Sequence, residues 1–178
     1  MLSVFLTFAG ICLCINGVRL YYTDVAAAGA FINEKDAAVA NLFTGALGLA
    51  VIYSLLNTPD VTLGNYSGAA YIGLFALTYT WVGINAFTGS DGRALGWFSL
   101  LVSLIAVPTA LSTYFTAQSA FDYWLSISWL SWAVLWFMFF LLLVKQQKIA
   151  RLTGMVSMIQ GVATALMPAL FTFWKVLS

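Results

Sequence analysis

Three tryptophans, Trp129, Trp132 and Trp136, lie in the apolar run Trp129-Leu130-Ser131-Trp132-Ala133-Val134-Leu135-Trp136. Their i, i+3, i+7 spacing puts them on one face of a helix. An indole offers a flat apolar body and a single N–H donor. A stripe of them either packs tightly against other helices or lines a slot for a flat, hydrogen-bonding solute, and both readings stand at this point. Trp97, Trp124 and Trp174 suit the headgroup belts where tryptophan is enriched. Trp132 does not: it is nine residues from Tyr123, ~14 Å along a helix rising 1.5 Å per residue. A donor at that depth needs an acceptor. A second such face is Phe75, Thr78, Tyr79 and Val82, at i, i+3, i+4 and i+7, with Trp81 and Asn85 close by. Leu6, Leu13 and Asn16 form a third candidate face, and Ser157, Gln160 and Thr164 a fourth.

The remaining chemistry is sparse. The chain has no histidine, which removes the commonest metal ligand and the most frequent general base. Cys12 and Cys14, at i and i+2, point to different sides of a helix and read as small apolar fillers. No catalytic residue, metal site or cofactor is expected. An integral-membrane enzyme is the weakest reading, because no spaced pair of ionisable groups lies at depth. A net charge of +1 without a basic stripe excludes a nucleic-acid partner.

These faces must be positioned by elements suited to lipid. Of 178 residues, 62% are hydrophobic and 7% charged, against roughly 45–50% and about 25% in soluble domains. The charge-free runs 1–18, 37–59, 61–90, 94–121, 123–144 and 152–174 each approach or exceed the ~20 residues that cross a bilayer. The expectation is an all-α integral membrane protein, one domain over residues 1–178, with six transmembrane helices: Leu2–Leu20, Ala37–Leu56, Tyr66–Phe87, Ala94–Phe115, Tyr123–Val144 and Leu152–Val176. The β-barrel pattern of alternating ten-residue segments is missing. The first segment lacks a basic start and reads as a span, not a removable signal. Arg19, Lys35, Arg93, Lys145, Lys148 and Arg151 all fall in the loops after helices one, three and five. The positive-inside rule places those loops in the cytoplasm and both termini outside, with Lys175 snorkelling to the outer interface.

With Arg19 and Lys175 counted as end residues, no ionisable group lies inside a span. Pumps, cation-coupled exchangers and voltage sensors keep one there. No carbonyl-filter signature such as TVGYG occurs, so a bare ion would lose its hydration shell without replacement. Aromatic walls, leucine constrictions and a few uncharged polar groups suit a small planar polar solute. Helices two and four, with Asn41, Thr44, Gly45 and Gly48 and with Ser99, Ser103, Ala106 and Ala110, read mainly as packing surfaces. Pro108 is expected to kink the fourth helix.

On these residues the chain resembles the urea channel and short-chain amide transporter family (UreI/AmiS type) of bacteria. The resemblance runs through Asn16-Gly17, Ala38-Val39-Ala40-Asn41-Leu42-Phe43-Thr44-Gly45, Leu77-Thr78-Tyr79-Thr80-Trp81-Val82-Gly83-Ile84-Asn85, Leu95-Gly96-Trp97-Phe98-Ser99-Leu100, the Trp129–Trp136 stretch and Thr164-Ala165-Leu166-Met167-Pro168. It implies a six-helix protomer with its own channel, six protomers in a ring around a lipid-filled hole, and a cytoplasmic urease or aliphatic amidase that consumes the solute. It implies constrictions at Leu6, Leu13, Phe75, Thr78, Tyr79, Trp129, Trp132, Leu135 and Trp136. Gln160 stands where the acid-gated channel has a pore carboxylate, and it cannot titrate. Acid-gated members carry histidines in their outer loops; this chain has none, so gating by histidine protonation is impossible. The connection from Tyr21 to Asp36 is longer than the family leads one to expect.

The reading favoured is a passive channel in the bacterial plasma membrane for urea, with short-chain amides and water as further permeants. The alternatives are an amide-preferring transporter of the same family and a non-transporting membrane assembly subunit, for which the tryptophan stripe is core.

Overall fold

The computed structural model describes residues 1–23 and 32–176. It contains six helices long and apolar enough to span a membrane: α1 (Leu2–Tyr21), α2 (Glu34–Leu56), α3 (Leu63–Thr88), α4 (Arg93–Thr116), α5 (Ala120–Leu143) and α6 (Ala150–Phe173). There is no strand among the described residues. The connection expected over 21–36 includes residues 24–31, which lie outside the described residues.

The count matches the charge pattern, but α2, α3 and α5 start three residues earlier than expected, for a capping reason: before α2 the Asn33 side chain accepts the Lys35 N–H at 2.9 Å. Thr62 and Asn65 form a capping box before α3, and Ser119 and Asp122 form one before α5. Asp122, expected in a loop, is in the first turn of α5, where its Oδ2 accepts the backbone N–H groups of Gln118 and Ser119, each at 2.9 Å. A carboxylate there also meets the positive end of the helix dipole. Gly89 closes α3 in the left-handed conformation, φ 66°. Helix α4 runs unbroken through Pro108.

The helices pack as α1 on α6, α2 on α3 and α4 on α5. The α1–α6 seam is backbone on backbone. A Cβ added to Gly10 would lie 2.7 Å from the Gly161 carbonyl oxygen, and one added to Gly17 would lie 2.7 Å from that of Gly154. The two pairs are seven residues apart on each helix and run in opposite senses, so α1 and α6 are antiparallel. Lipid supplies no hydrophobic drive between helices, and close approach of small residues supplies dispersion instead. Serine hydroxyls stitch α4 to α5: Ser103 Oγ donates to the Ala133 carbonyl and Ser126 Oγ to that of Ala110, both at 2.8 Å. This is the packing role expected of the small residues on α4.

Helix α6 widens into a π-helical stretch at Gly161–Leu166. Two indoles of α5 dock there: Trp124 Nε1 donates to the Ala163 carbonyl at 2.9 Å and Trp132 Nε1 to Thr164 Oγ1 at 2.8 Å. Large apolar side chains such as Val39, Phe43, Leu101 and Leu104 are exposed, while Asn41, Thr44 and Ser157, each hydrogen-bonded, are sealed inside. That distribution fits a bundle solvated by lipid, which must satisfy its own polar groups internally.

Candidate functional site

The stripe on α5 faces inward: Trp129 and Trp132 are 3% exposed and Trp136 5%. Phe75 on α3 sits among them. Its ring centroid lies 4.9 Å from that of Trp132, 4.7 Å from Trp136 and 5.8 Å from Trp129. Edge and tilted contacts at these distances suit aromatic quadrupoles, and they fix the four rings relative to one another.

Three cavities follow one another along this wall. The first, about 240 Å3, opens between the starts of α1, α3 and α5 and is lined by Leu6, Phe75, Trp129 and Trp132, with Phe5 and Tyr71. The middle one, about 40 Å3, is lined by Leu13, Asn16, Phe75, Thr78, Tyr79, Val82, Trp132, Leu135, Trp136 and Phe139. The third, about 270 Å3, lies at the opposite end and is lined by Arg19, Glu34, Asn41, Asn85 and Asp91 among others. Phe75 and Trp132 belong to both the first and the middle cavity. Asn16, Val82 and Phe139 belong to both the middle and the third. A water needs about 10–15 Å3 of such space, so the middle cavity is sized for one very small molecule.

Charge is confined to the third cavity. Arg19 Nη1 bonds Glu34 Oε1 at 2.8 Å, and Arg93 pairs with Asp91. At the same end Arg151 Nη2 donates to the Tyr21 hydroxyl at 2.8 Å. Arg19, Arg93 and Arg151, three of the basic residues read as cytoplasmic, thus lie at one end of the bundle, where Arg19–Glu34 ties α1 to α2 and Arg151–Tyr21 ties α6 to α1. The middle cavity has no ionisable Asp, Glu, Lys, Arg or His in its wall.

Nine of the ten candidate residues line the first or middle cavity. Gln160 lines none of the three. It is buried between α6 and α5, its Nε2 donating to the Ser131 carbonyl at 2.9 Å, while its Oε1 has no partner. The polar tips of α3 are also less free than their positions imply. Thr78 Oγ1 donates to the Leu74 carbonyl at 2.7 Å, and the Tyr79 hydroxyl to the Ala9 carbonyl on α1 at 3.2 Å. The acceptor that Trp132 requires is Thr164 Oγ1, whose own proton goes to the Gln160 carbonyl at 2.6 Å.

Phe139 and Tyr71 line these cavities and were absent from the candidates. Both carried a signal: Phe139 continues the α5 stripe at i+3 from Trp136, and Tyr71 precedes Phe75 by one helical turn. Asn41, which lines the third cavity, is a further omission. Its amide and that of Asn16 bond reciprocally, Asn16 Nδ2 to Asn41 Oδ1 at 2.9 Å and Asn41 Nδ2 to Asn16 Oδ1 at 2.8 Å.

The Trp132–Thr164 bond makes a direct prediction. Trp132→Phe keeps an aromatic ring, though a smaller one, and leaves the Thr164 oxygen without its donor; the lost bond should cost about 1 kcal/mol beyond the lost ring contacts. Thermal unfolding in detergent should show a modest fall. In the Thr164→Val background the same change should cost measurably less; an equal cost in both backgrounds would refute the coupling.

The comparisons with known proteins point the same way. Residues 1–176 match the family described as AmiS/UreI family transporters. A candidate transporter of amidate substrates from Mycolicibacterium smegmatis is 37% identical over 175 residues, covering 94% of this chain and 74% of that protein. The acid-activated urea channel of Helicobacter pylori is 29% identical over 199 residues, covering 97% of each. The crystal structure of the Helicobacter pylori urea channel superposes with a TM-score of 0.80 at 29% identity, over 100% of both chains. Family members are transporters and channels, and this one is a multi-pass membrane protein, not an enzyme. Its fold and its sequence agree: the chain belongs to the AmiS/UreI family.

Proposed function

We propose that the protein is a passive channel for urea and short-chain amides in a bacterial plasma membrane, with both termini outside and one pathway in each protomer of a homohexamer. The observation that carries this reading is the file of three cavities whose narrow middle is walled by rings and uncharged polar atoms. An ion entering it would be stripped of water and meet no counter-charge. A flat neutral molecule can lie against Phe75, Trp132 and Trp136 and exchange hydrogen bonds with the wall. All nine lining candidates serve this route, and Gln160 acts on it only through the packing of α6 on α5. The permeant would be drawn inward by a cytoplasmic urease or amidase.

Stopped-flow light scattering on proteoliposomes tests this. Urea entry is expected to be well above that of empty vesicles and insensitive to a proton ionophore; entry at the rate of empty vesicles refutes it. The second reading, an amide-preferring transporter, is favoured by the higher identity to the relative described as a candidate amidate transporter, 37% against 29% for the urea channel. A panel of urea, acetamide, glycerol and water separates the two by which solute enters fastest.

A pH prediction follows from the composition. Histidine alone among side chains ordinarily changes charge between pH 5 and 8, and this chain has none. Urea flux should stay within about twofold over that range, since no side chain is there to switch. A steep rise on acidification would show a gate built from other groups.

A further inference from the structure

We infer, resting on the proposed conduction of urea and amides, that the middle cavity selects solutes by the polarity of their hydrogen bonds: the Trp136 N–H is its free donor, and the oxygens of Thr78, Tyr79 and Asn16 act there as acceptors only. Its best permeant has one carbonyl and amino groups on both sides of it.

The assignment comes from following each polar proton in the cavity wall. Thr78 and Tyr79 have spent theirs on the backbone carbonyls of Leu74 and Ala9. A hydroxyl has one proton and two lone pairs, so toward a solute each oxygen can act only as an acceptor. Asn16 uses one amide proton on Asn41 Oδ1 and directs the other at Cys12 Sγ, 3.6 Å away. Its Oδ1 takes one bond from Asn41 and keeps a second lone pair. Trp132 is committed to Thr164. Trp136 makes no hydrogen bond among the described residues, and its Nε1 is not among the buried atoms sealed off without a partner. The α5 wall therefore supplies one donor, and the α3 and α1 walls supply acceptors.

The complement of this wall has one acceptor and several donors. Urea, with one carbonyl and two amino groups, fits both sides. Acetamide, of nearly the same size, fills the donor and has an amino group on one side and a methyl on the other. A carboxylate brings acceptors only and sets lone pairs against lone pairs, in addition to its charge. The discrimination between urea and acetamide thus belongs to the acceptors, and the admission of carbonyl solutes belongs to Trp136.

Two variants divide these roles. Trp136→Phe keeps an aromatic wall without the N–H, and Thr78→Val keeps the shape without the oxygen. Each is purified, checked for an intact oligomer by size exclusion, and reconstituted for urea and acetamide permeability. Trp136→Phe should lower both permeabilities about three- to tenfold, the effect of one net hydrogen bond. Thr78→Val should lower urea several-fold and acetamide little, so that the urea-to-acetamide ratio falls. Unchanged or raised permeability in Trp136→Phe, or an equal loss of both solutes in Thr78→Val, overturns the polarity assignment while leaving conduction of urea standing. A wild-type protein no faster than empty vesicles overturns both.

Discussion

Gly154→Ala is expected to destabilise the protein by about 3 kcal/mol or more, the upper range for overpacking a filled interior. A Cβ at this position would lie 2.5 Å from the Tyr21 backbone nitrogen, 2.6 Å from the Gly17 carbonyl oxygen and 3.0 Å from the Tyr21 Cα. None of these is a side-chain tip that can swing aside. To admit one methyl group, α1 and α6 must separate along the seam that also holds Gly10 against Gly161. Separation also moves Leu13 and Asn16, which sit on α1 and line the middle cavity, so loss of stability and loss of flux should appear together. Gly73→Ala is the control. A Cβ there meets the Ile52 Cδ1 at 3.8 Å, an ordinary contact, and alanine is the better helix former. Melting in detergent should fall sharply for Gly154→Ala and hold or rise for Gly73→Ala. Equal melting temperatures for Gly154→Ala and wild type would show that the seam is not tight.

The α1–α6 seam also shows what the residues disclosed and what they withheld. Helix number and approximate limits were legible because charge is expelled from lipid, so charged residues punctuate the spans. The inward direction of the α5 stripe was legible because Trp132 lies too deep for a headgroup belt. Packing partners were not legible. The seven-residue spacing of Gly10 and Gly17 matches that of Gly154 and Gly161, but a period on one helix does not name the helix it meets. Gln160 illustrates the same gap. Its spacing with Ser157 and Thr164 put it on a polar face of α6, and the structure turns that face toward the Ser131 carbonyl. The π-helical stretch left no periodic trace, because hydrophobicity in lipid does not alternate with exposure as it does in water. It receives the indoles of Trp124 and Trp132 from another helix, and Pro168 just beyond it has no N–H to offer the Thr164 carbonyl one turn back.

Asn16 and Asn41 were read separately, one as a pathway residue and one as packing, and their union gives the second large effect. Both are buried, Asn41 completely. Each amide donates one bond to the other and accepts one, and Asn41 also donates to the Ala37 carbonyl at 2.8 Å. Asn41→Leu should therefore cost about 2 kcal/mol, because it takes away the partner of both the Asn16 carbonyl and one of its N–H groups. Asn16→Leu should cost a similar amount by stranding Asn41. The double substitution should cost less than the sum by about 1 kcal/mol or more, since two apolar side chains of similar volume leave no orphan behind. Unfolding of all four proteins in detergent closes this cycle, and simple additivity would mean that the two amides are not coupled. Flux separates the partners in a second way. Asn16 lines the middle cavity and Asn41 does not, so at a temperature where every variant is folded, Asn16→Leu should slow urea more than Asn41→Leu. The pair then serves two ends at once: it holds α1 to α2, and it engages one Asn16 N–H, the other being directed at Cys12, so that on the proposed route the carbonyl oxygen is what a solute meets.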